Sequence, residues 1–359
     1  MPLRREYFSI LLLPMGLELA DNIKKIYEIK VMIQNIPSRL YKYKSFSVDS
    51  LDLLVSDRLY FADPTTFNDP LDCNPSVLND INNVNELNSI LHKLVKENHQ
   101  KELAKAAKKI KYKGLRTLEK IEMLGESEAR KLIDNISWDV DNYGDDFYAS
   151  ASFYIKRYLL KNYEVGVLSL ARKFNCPLMW SHYADQHKGF CIGYDTSEND
   201  SLDIHPVDYK GNRFIRTQQV HDMLFGSNDN IKNTAKKEID RVILLSKAPS
   251  WKYENEYRVI NNQGLQNSPF RLSDVTFGLR FKESAKFSVM SALQSRQGDI
   301  DFYEMSLSND SFKLKRKLIN LENMKFRLYP ESNYERTRDA LQMLNDLNND
   351  ENSLDHERL

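Results

Sequence analysis

The chain has 359 residues and a formal net charge of zero, because 51 Lys and Arg residues balance 51 Asp and Glu residues. Its 41% of hydrophobic residues can bury a substantial core, which excludes a wholly disordered or collagen-like chain. At about 150 residues per domain, the length predicts two domains or one large domain with an insertion. The zero net charge argues against a uniformly basic protein that coats nucleic acid.

Cysteine usage and hydropathy both indicate a cytoplasmic protein. The three cysteines, Cys73, Cys176 and Cys191, are far apart and form neither a CxxC pair nor a zinc-ligand spacing. We therefore expect a reducing compartment and no metal site. No stretch reaches the roughly 20 apolar residues of a membrane span, so we expect no membrane partner.

In chain order, the predicted elements divide the sequence into four parts. Residues 1–37 are predicted to form an N-terminal helical extension. The short strands and helices of residues 38–75 and 161–330 are predicted to form one split α+β core domain with a mixed or antiparallel sheet. Residues 76–160 have helical periodicity and are predicted to be a helical insertion, and residues 331–359 are predicted to be an acidic, flexible tail.

Within the predicted insertion, residues 93–120 carry ten Lys or Arg residues and three Glu residues. Most basic helical stretches are solvated surfaces. The alternative is a surface that binds nucleic acid or another protein through its positive charge. The zero net charge of the chain is thus an average over segments of opposite charge.

Three clusters combine polar side chains with aromatic ones, and the first is the sequence FNDPLD of residues 67–72. Asn68, Asp69 and Asp72 can hydrogen-bond to their own backbone, and Pro70 restricts it. The cluster is predicted to be either a structural turn or a loop that projects one of these side chains into a cleft.

The second cluster is the sequence MWSHY of residues 179–183. Trp180 and Tyr183 offer rings for core packing or for stacking on a ligand, with polar atoms that need hydrogen-bond partners. His182 is either a buried, hydrogen-bonded imidazole or a catalytic base. Its spacing from His187 does not match a zinc site on a helix.

The third cluster is the sequence WKYENEYRVI of residues 251–260. If it forms a strand, the period of two puts Glu254, Glu256 and Arg258 on one face. Two neighbouring carboxylates repel each other, which raises the pKa of one, while a guanidinium keeps the other ionised. The cluster predicts either a solvated strand with a weak salt bridge or a pair of acids in a pocket.

Several short motifs follow one another in a recognisable order along the chain. They are LYKY at residues 40–43, LYF at 59–61, NDP at 68–70, MWSHY at 179–183, KGF at 188–190, WKYENEYR at 251–258 and FGLR at 277–280. With these motifs the chain resembles the bacterial family called domain of unknown function 2971, from about Leu40 to Leu318 with an interruption at the helical stretch. The resemblance implies no activity.

A more distant resemblance, in the order of elements, is to the ADP-ribosyltransferase superfamily, which includes DNA-modifying toxins. Both have a strand, a helix and a strand, then a later strand with a glutamate, and then a strand, a helix and a strand. In that superfamily a first-strand Arg or His orients NAD, a second-strand aromatic residue or Ser helps to hold it, and the late Glu promotes transfer from the nicotinamide riboside. The resemblance implies an ADP-ribosyltransferase-like fold and NAD as the substrate.

Carried over residue by residue, this resemblance makes Glu256 the late glutamate and Glu254 the upstream acid of an ExE pair. Lys42 falls where Arg or His is expected, and Arg39 or Lys44 is an alternative for the same role. Lysine lacks the planar fork of arginine, so this position departs from the pattern.

The candidate site residues follow from the three clusters and the resemblance. The candidate catalytic residues are Glu256, Glu254 and His182, and the candidate NAD-binding residues are Lys42, Tyr43, Trp180, Tyr183, Asn68 and Asp69. An NAD enzyme requires that Lys42, Glu256 and either Trp180 or Tyr183 line one cavity of several hundred Å³.

Three functional hypotheses remain open. The first is an ADP-ribosyltransferase-like effector, or an NAD glycohydrolase, in bacterial stress or phage defence. The second is a non-catalytic module that binds a ligand, nucleic acid or protein in the same cleft. The third is a nuclease or other hydrolase that uses Asp69, Asp72, His182, Glu254 and Glu256.

Overall fold

The computed structural model describes residues 36–112, 114–197, 203–294, 299–323, 338 and 340–344. The extension predicted for residues 1–37 and the tail predicted for residues 331–359 lie almost wholly outside the described residues. The described strands are β1 (Arg39–Lys44), β2 (Arg58–Phe61), β3 (Ser76–Leu78), β4 (Gly166–Ala171), β5 (Phe190–Asp195), β6 (Ile204–Pro206), β7 (Phe214–Arg216), β8 (Glu256–Asn261), β9 (Gly264–Asn267), β10 (Arg271–Phe277), β11 (Asp301–Leu307) and β12 (Leu314–Leu318).

None of the α-helices in the described part of the chain is long and apolar enough to cross a lipid bilayer. The helices are α1 (Val48–Val55), α2 (Val84–Lys109), α3 (Thr117–Tyr143), α4 (Phe147–Lys161), α5 (Pro177–Tyr183), α6 (Thr217–Phe225), α7 (Asp229–Leu245) and α8 (Glu283–Gln294). Short 3-10 helices span Pro64–Thr66, Pro249–Glu254 and Leu321–Asn323. Local signals set some of the ends: Ser47 caps α1 by accepting a hydrogen bond from the backbone N–H of Ser50, and Gly144 ends α3 with a φ of 71°.

Eight strands form one sheet in the order β12-β11-β10-β5-β1-β4-β8-β6. All neighbours in this sheet are antiparallel except β10 and β11, which are parallel. Two small two-stranded sheets pair β2 with β9 and β3 with β7. The structure therefore confirms the α+β class with a mixed, mostly antiparallel β core.

The large sheet opens between β1 and β4. β1 pairs with β5 along its whole length, but it pairs with β4 only through Tyr41 and Ala171. Where the two strands separate, the backbone oxygen of Ser169 accepts a hydrogen bond of 2.7 Å from Lys42 Nζ. A side chain thus satisfies a backbone acceptor that strand pairing does not use.

Alternation along β1 sends its side chains to opposite faces of the sheet. Leu40 joins the hydrophobic core that α1 and α8 cover, together with Val259 of β8. Tyr41 and Tyr43 lie on the other face, in a cluster that includes Trp180 of α5. The centre of the sheet is therefore covered by packed side chains on both faces.

Helices α2, α4, α6 and α7 share a second hydrophobic core. It includes Leu94 of α2, Leu159 of α4, Val220 of α6 and Ile243 of α7, and also Val167 of β4. The helices predicted as an insertion thus pack on helices that follow them by many residues in the chain. The predicted domain boundaries stay predictions.

Replacing Leu94 by Ala removes a fully buried side chain from this shared core, so we expect the free energy of unfolding to fall by about 2–5 kcal/mol. The control is Leu118→Ala in α3, where the side chain is 80% exposed, and we expect a change below about 0.5 kcal/mol. Urea denaturation followed by circular dichroism and tryptophan fluorescence measures both. If the protein unfolds in two separate transitions and Leu94→Ala shifts the midpoint of only one of them, the result contradicts a shared core.

Candidate functional site

A cavity of about 310 Å³ lies where β1 and β4 separate. Its walls come from β1, the loop of residues 62–72, β4, α5 and the segment 247–256. The site is thus built from five stretches that are distant in the chain. Its volume is at the lower end of the range of small-molecule sites.

Most of the candidate residues line this cavity. They are Lys42, Tyr43, Asn68, Tyr183, Glu254 and Glu256. Lys42, Tyr183 and Glu256 therefore meet in one cavity, as an NAD enzyme requires. The individual roles of these residues stay predictions.

Three candidate residues lie outside the cavity wall. Trp180 is fully buried, and its Nε1 donates to the backbone oxygen of Phe174 at 2.7 Å. His182 is exposed at the end of α5. Asp69 accepts a hydrogen bond of 2.7 Å from Nε1 of Trp251. Trp180 and Asp69 thus have hydrogen-bonding roles outside the cavity, and the assignment of all three residues to chemistry stays a prediction.

The third sequence cluster differs from a regular strand at its start. β8 begins only at Glu256, because Glu254 ends a 3-10 helix and Asn255 has a φ of 45°. This left-handed residue changes the chain direction between the two glutamates. Their carboxylates still meet, although not through the period of two that the sequence indicated.

The fully buried guanidinium of Arg258 holds the acidic residues of the site. Its Nε donates to Glu256 Oε1 at 2.8 Å, and its Nη2 donates to Asp72 Oδ2 at 2.7 Å. Its Nη1 donates at 2.6 Å to the backbone oxygen of Leu244, near the end of α7. Because a buried charge needs such partners, this network fixes the loop of Asp72 against β8.

The ammonium group of Lys247 contacts the carboxylates of Asp72 and Glu256 and also that of Glu254. Its Nζ lies 2.5 Å from Glu254 Oε2, 3.0 Å from Glu256 Oε2 and 3.5 Å from Asp72 Oδ2. The hydroxyl of Tyr183 donates to the other oxygen of Glu254 at 2.7 Å. Among the residues that the structure describes, no group of three His, Cys, Asp or Glu side chains is arranged to hold a metal ion.

The two glutamates have pKa values shifted in opposite directions. Burial raises the pKa of Glu256, but the attraction of Arg258 and Lys247 outweighs burial and lowers that pKa to about 2. For Glu254, burial outweighs the attraction of Lys247, and its pKa is raised. At neutral pH, Glu256 is thus a fixed carboxylate, and Glu254 takes up a proton more readily. This arrangement favours a pair of acids in a pocket over a solvated strand.

Lys42 has a lowered pKa at the gap in the sheet. Burial and then the charge of Lys44 lower the pKa of its ammonium group to about 7, against the opposing effect of Glu256 and Glu254. Near neutral pH a substantial fraction of Lys42 is therefore uncharged. The uncharged amine can accept a hydrogen bond, whereas the ammonium form only donates.

Ser169 and Lys247 are among the cavity residues that sequence reasoning missed. Ser169 and Glu256 both line the cavity, and the hydroxyl of Ser169 contributes to the lowered pKa of Glu256. The sequence signal for Ser169 is that it is a polar residue within the apolar run VGVLSL of residues 165–170. Lys247 follows α7 in a segment without a motif, so the sequence contains no signal for it.

Comparison with known families gives one match. A family model described as "Protein of unknown function (DUF2971)" matches residues 179–259. Over this segment the chain is similar to DUF2971. The DUF2971-like segment runs from α5 through β8 and includes Tyr183, Lys247, Glu254 and Glu256 of the cavity. No curated protein and no solved structure matches the chain.

The lowered pKa of Lys42 makes stability depend on pH. Between its folded pKa of about 7 and its ordinary value of 10.5, the unfolded chain binds more protons at this lysine than the folded chain. The free energy of unfolding therefore rises with pH in that window, and we expect Lys42→Met to lose this part of the rise. Lys188→Met, at an exposed lysine, should keep it. Urea denaturation at about pH 7 and about pH 9.5 measures the effect, and an equal rise in Lys42→Met and the unchanged protein would contradict it.

Proposed function

We propose that this chain is an ADP-ribosyltransferase-like enzyme that uses NAD in the cytoplasm. One observation carries the proposal: neighbouring strands β1, β4 and β8 contribute Lys42, Ser169 and Glu256 to one cavity. The superfamily pattern combines Arg or His, an aromatic residue or Ser, and Glu. Two departures are that lysine replaces Arg or His, and that the serine comes from β4 instead of the second strand in the chain.

The proposed reaction breaks the bond between C1′ of the nicotinamide riboside and the nicotinamide nitrogen. The electron pair leaves with nicotinamide, which becomes neutral, and the ribose becomes an oxocarbenium-like cation. An acceptor nucleophile then forms a bond to C1′ and loses its proton. When the acceptor is water, the enzyme is an NAD glycohydrolase. A preorganised carboxylate beside C1′ stabilises the developing charge.

The two acids of the cavity suit different parts of this reaction. Glu256, ionised and held by two cations, stabilises the ribosyl cation. Glu254, whose pKa is raised by burial, takes the proton of the acceptor. The rings of Tyr43 and Tyr183 pack against nicotinamide, and Lys42 orients the ribose or a phosphate.

The two other hypotheses have less support from the site. The carboxylates that a hydrolase would use surround Lys247, and Asp69 and His182 lie outside the cavity. A binding module that uses the basic residues 93–120 would need them beside the cleft, and none of the cavity residues comes from that stretch. The expected role in bacterial stress or phage defence comes from the resemblance alone.

Glu256→Gln tests the proposal. It keeps the shape of the side chain but removes the charge that stabilises the ribosyl cation, so we expect nicotinamide release from labelled NAD to fall by about 100-fold. The matched control is Glu119→Gln, an exposed glutamate of α3, which should keep the full rate. Ser169→Ala removes only the hydroxyl beside Glu256 and should cost about 10-fold.

The outcomes separate the hypotheses. Release that persists unchanged in Glu256→Gln refutes the role of Glu256. If the unchanged protein neither releases nicotinamide nor transfers label to any of a range of candidate acceptors, the transferase hypothesis is refuted and a binding module is favoured. A thermal melt of each variant shows whether a loss of rate accompanies a loss of fold, and Ser169→Ala, which changes no charge, remains informative if Glu256→Gln unfolds.

A further inference from the structure

A second cavity, of about 330 Å³, adjoins the first. Phe67 and Asp72 line both cavities. The opposite wall of the second cavity consists of side chains of α4 and α7, including Leu160 and Leu244. The segment 67–72 thus separates two chambers of similar size, one that contains the charged groups of the site and one that is largely apolar.

Asp72 occupies the boundary between the chambers and contacts two cations there. Its Oδ2 lies 2.7 Å from Nη2 of Arg258 and 3.5 Å from Nζ of Lys247. The ring of Phe67 packs beside the same guanidinium, with 5.6 Å between its centroid and Arg258 Cζ. A carboxylate of the protein therefore stands where an anionic group of a ligand would meet both cations.

The charges of this cluster balance even without Asp72. Arg258 and Lys247 face three carboxylates, those of Asp72, Glu254 and Glu256. After removal of Asp72 from the cations, two positive and two negative groups remain. A ligand anion that takes the vacated place restores the partners that buried cations need.

We infer that Asp72 is an internal stand-in for the diphosphate of a dinucleotide, and that the segment 67–72 moves aside when the dinucleotide binds. The inference rests on the proposed function, because it names the NAD-binding mode of that same site. A dinucleotide consists of two nucleosides joined by a diphosphate, and the site consists of two chambers joined at Asp72. The nicotinamide riboside takes the chamber with Glu256, and adenosine takes the apolar chamber beside Leu160.

The first test compares Asp72→Ala with Asp52→Ala by calorimetric titration with inorganic pyrophosphate and with ADP-ribose. Removal of the competing carboxylate should tighten the binding of both probes by at least about tenfold, or 1.4 kcal/mol. Asp52 is an exposed aspartate of α1 that pairs with Arg58 and lines neither cavity, so Asp52→Ala should leave both affinities unchanged. Unchanged or weaker binding in Asp72→Ala overturns the inference.

A measurement on the unchanged protein applies if Asp72→Ala does not fold. ADP-ribose should accelerate amide hydrogen exchange in the segment, because the segment leaves its place, while it protects β1. The amides to follow are those of Thr66, Phe67, Leu71 and Asp72, which are hydrogen-bonded in the structure. Protection of these amides by ADP-ribose overturns the inference.

A third variant tests where adenosine binds. Leu160→Trp fills the apolar chamber, so it should weaken ADP-ribose binding at least about tenfold and leave pyrophosphate binding unchanged. Equal ADP-ribose affinity in this variant and in the unchanged protein overturns the placement of adenosine.

The failures of the two proposals are distinguishable. Tighter binding of ADP-ribose in Asp72→Ala, in a protein that never releases nicotinamide, supports the stand-in and refutes the transferase. If nicotinamide release depends on Glu256 but Asp72→Ala leaves the affinities for pyrophosphate and ADP-ribose unchanged, the transferase is supported and only the role of Asp72 as a stand-in is overturned.

Discussion

Arg258 has no exposure to solvent, and a buried guanidinium must find its hydrogen-bond acceptors inside the protein. It finds them in the loop of Asp72, in Glu256 at the start of β8 and in Leu244 near the end of α7. Removing one partner of such a buried pair costs about 3–5 kcal/mol. The same contacts that stabilise the guanidinium therefore determine where the acids of the site lie and which of them stays ionised.

The second constraint is the single pair between β1 and β4. In a continuous sheet the space between neighbouring strands is filled by backbone hydrogen bonds, and no ligand enters there. Here the gap opens in the middle of an eight-stranded sheet with hydrophobic cores on both faces. The strands that form part of the cavity wall are thus held by their neighbours in the sheet, which keeps the side chains of Lys42, Ser169 and Glu256 in fixed positions.

The fold class and part of the site could be predicted from the sequence. The alternation along β1 and the acids around β8 are local patterns, so they could be recognised without a structure. Lys247 could not, because its role depends on three carboxylates that only tertiary folding brings together. The placement of Glu254 depends on a left-handed Asn255, which interrupts the expected strand and which the alternating pattern of the sequence does not indicate.

The end of α7 beside Arg258 links the site to the helical layer. Aligned peptide dipoles give the C-terminus of a helix a partial negative charge, so α7 contributes to the field that acts on Arg258 and, through it, on Glu256. The orientation of α7 is set by its packing against α6 and the core that it shares with α2. We therefore expect a substitution deep in that layer that displaces the end of α7 to change the field at Arg258 and Glu256 without changing any residue that lines the cavity.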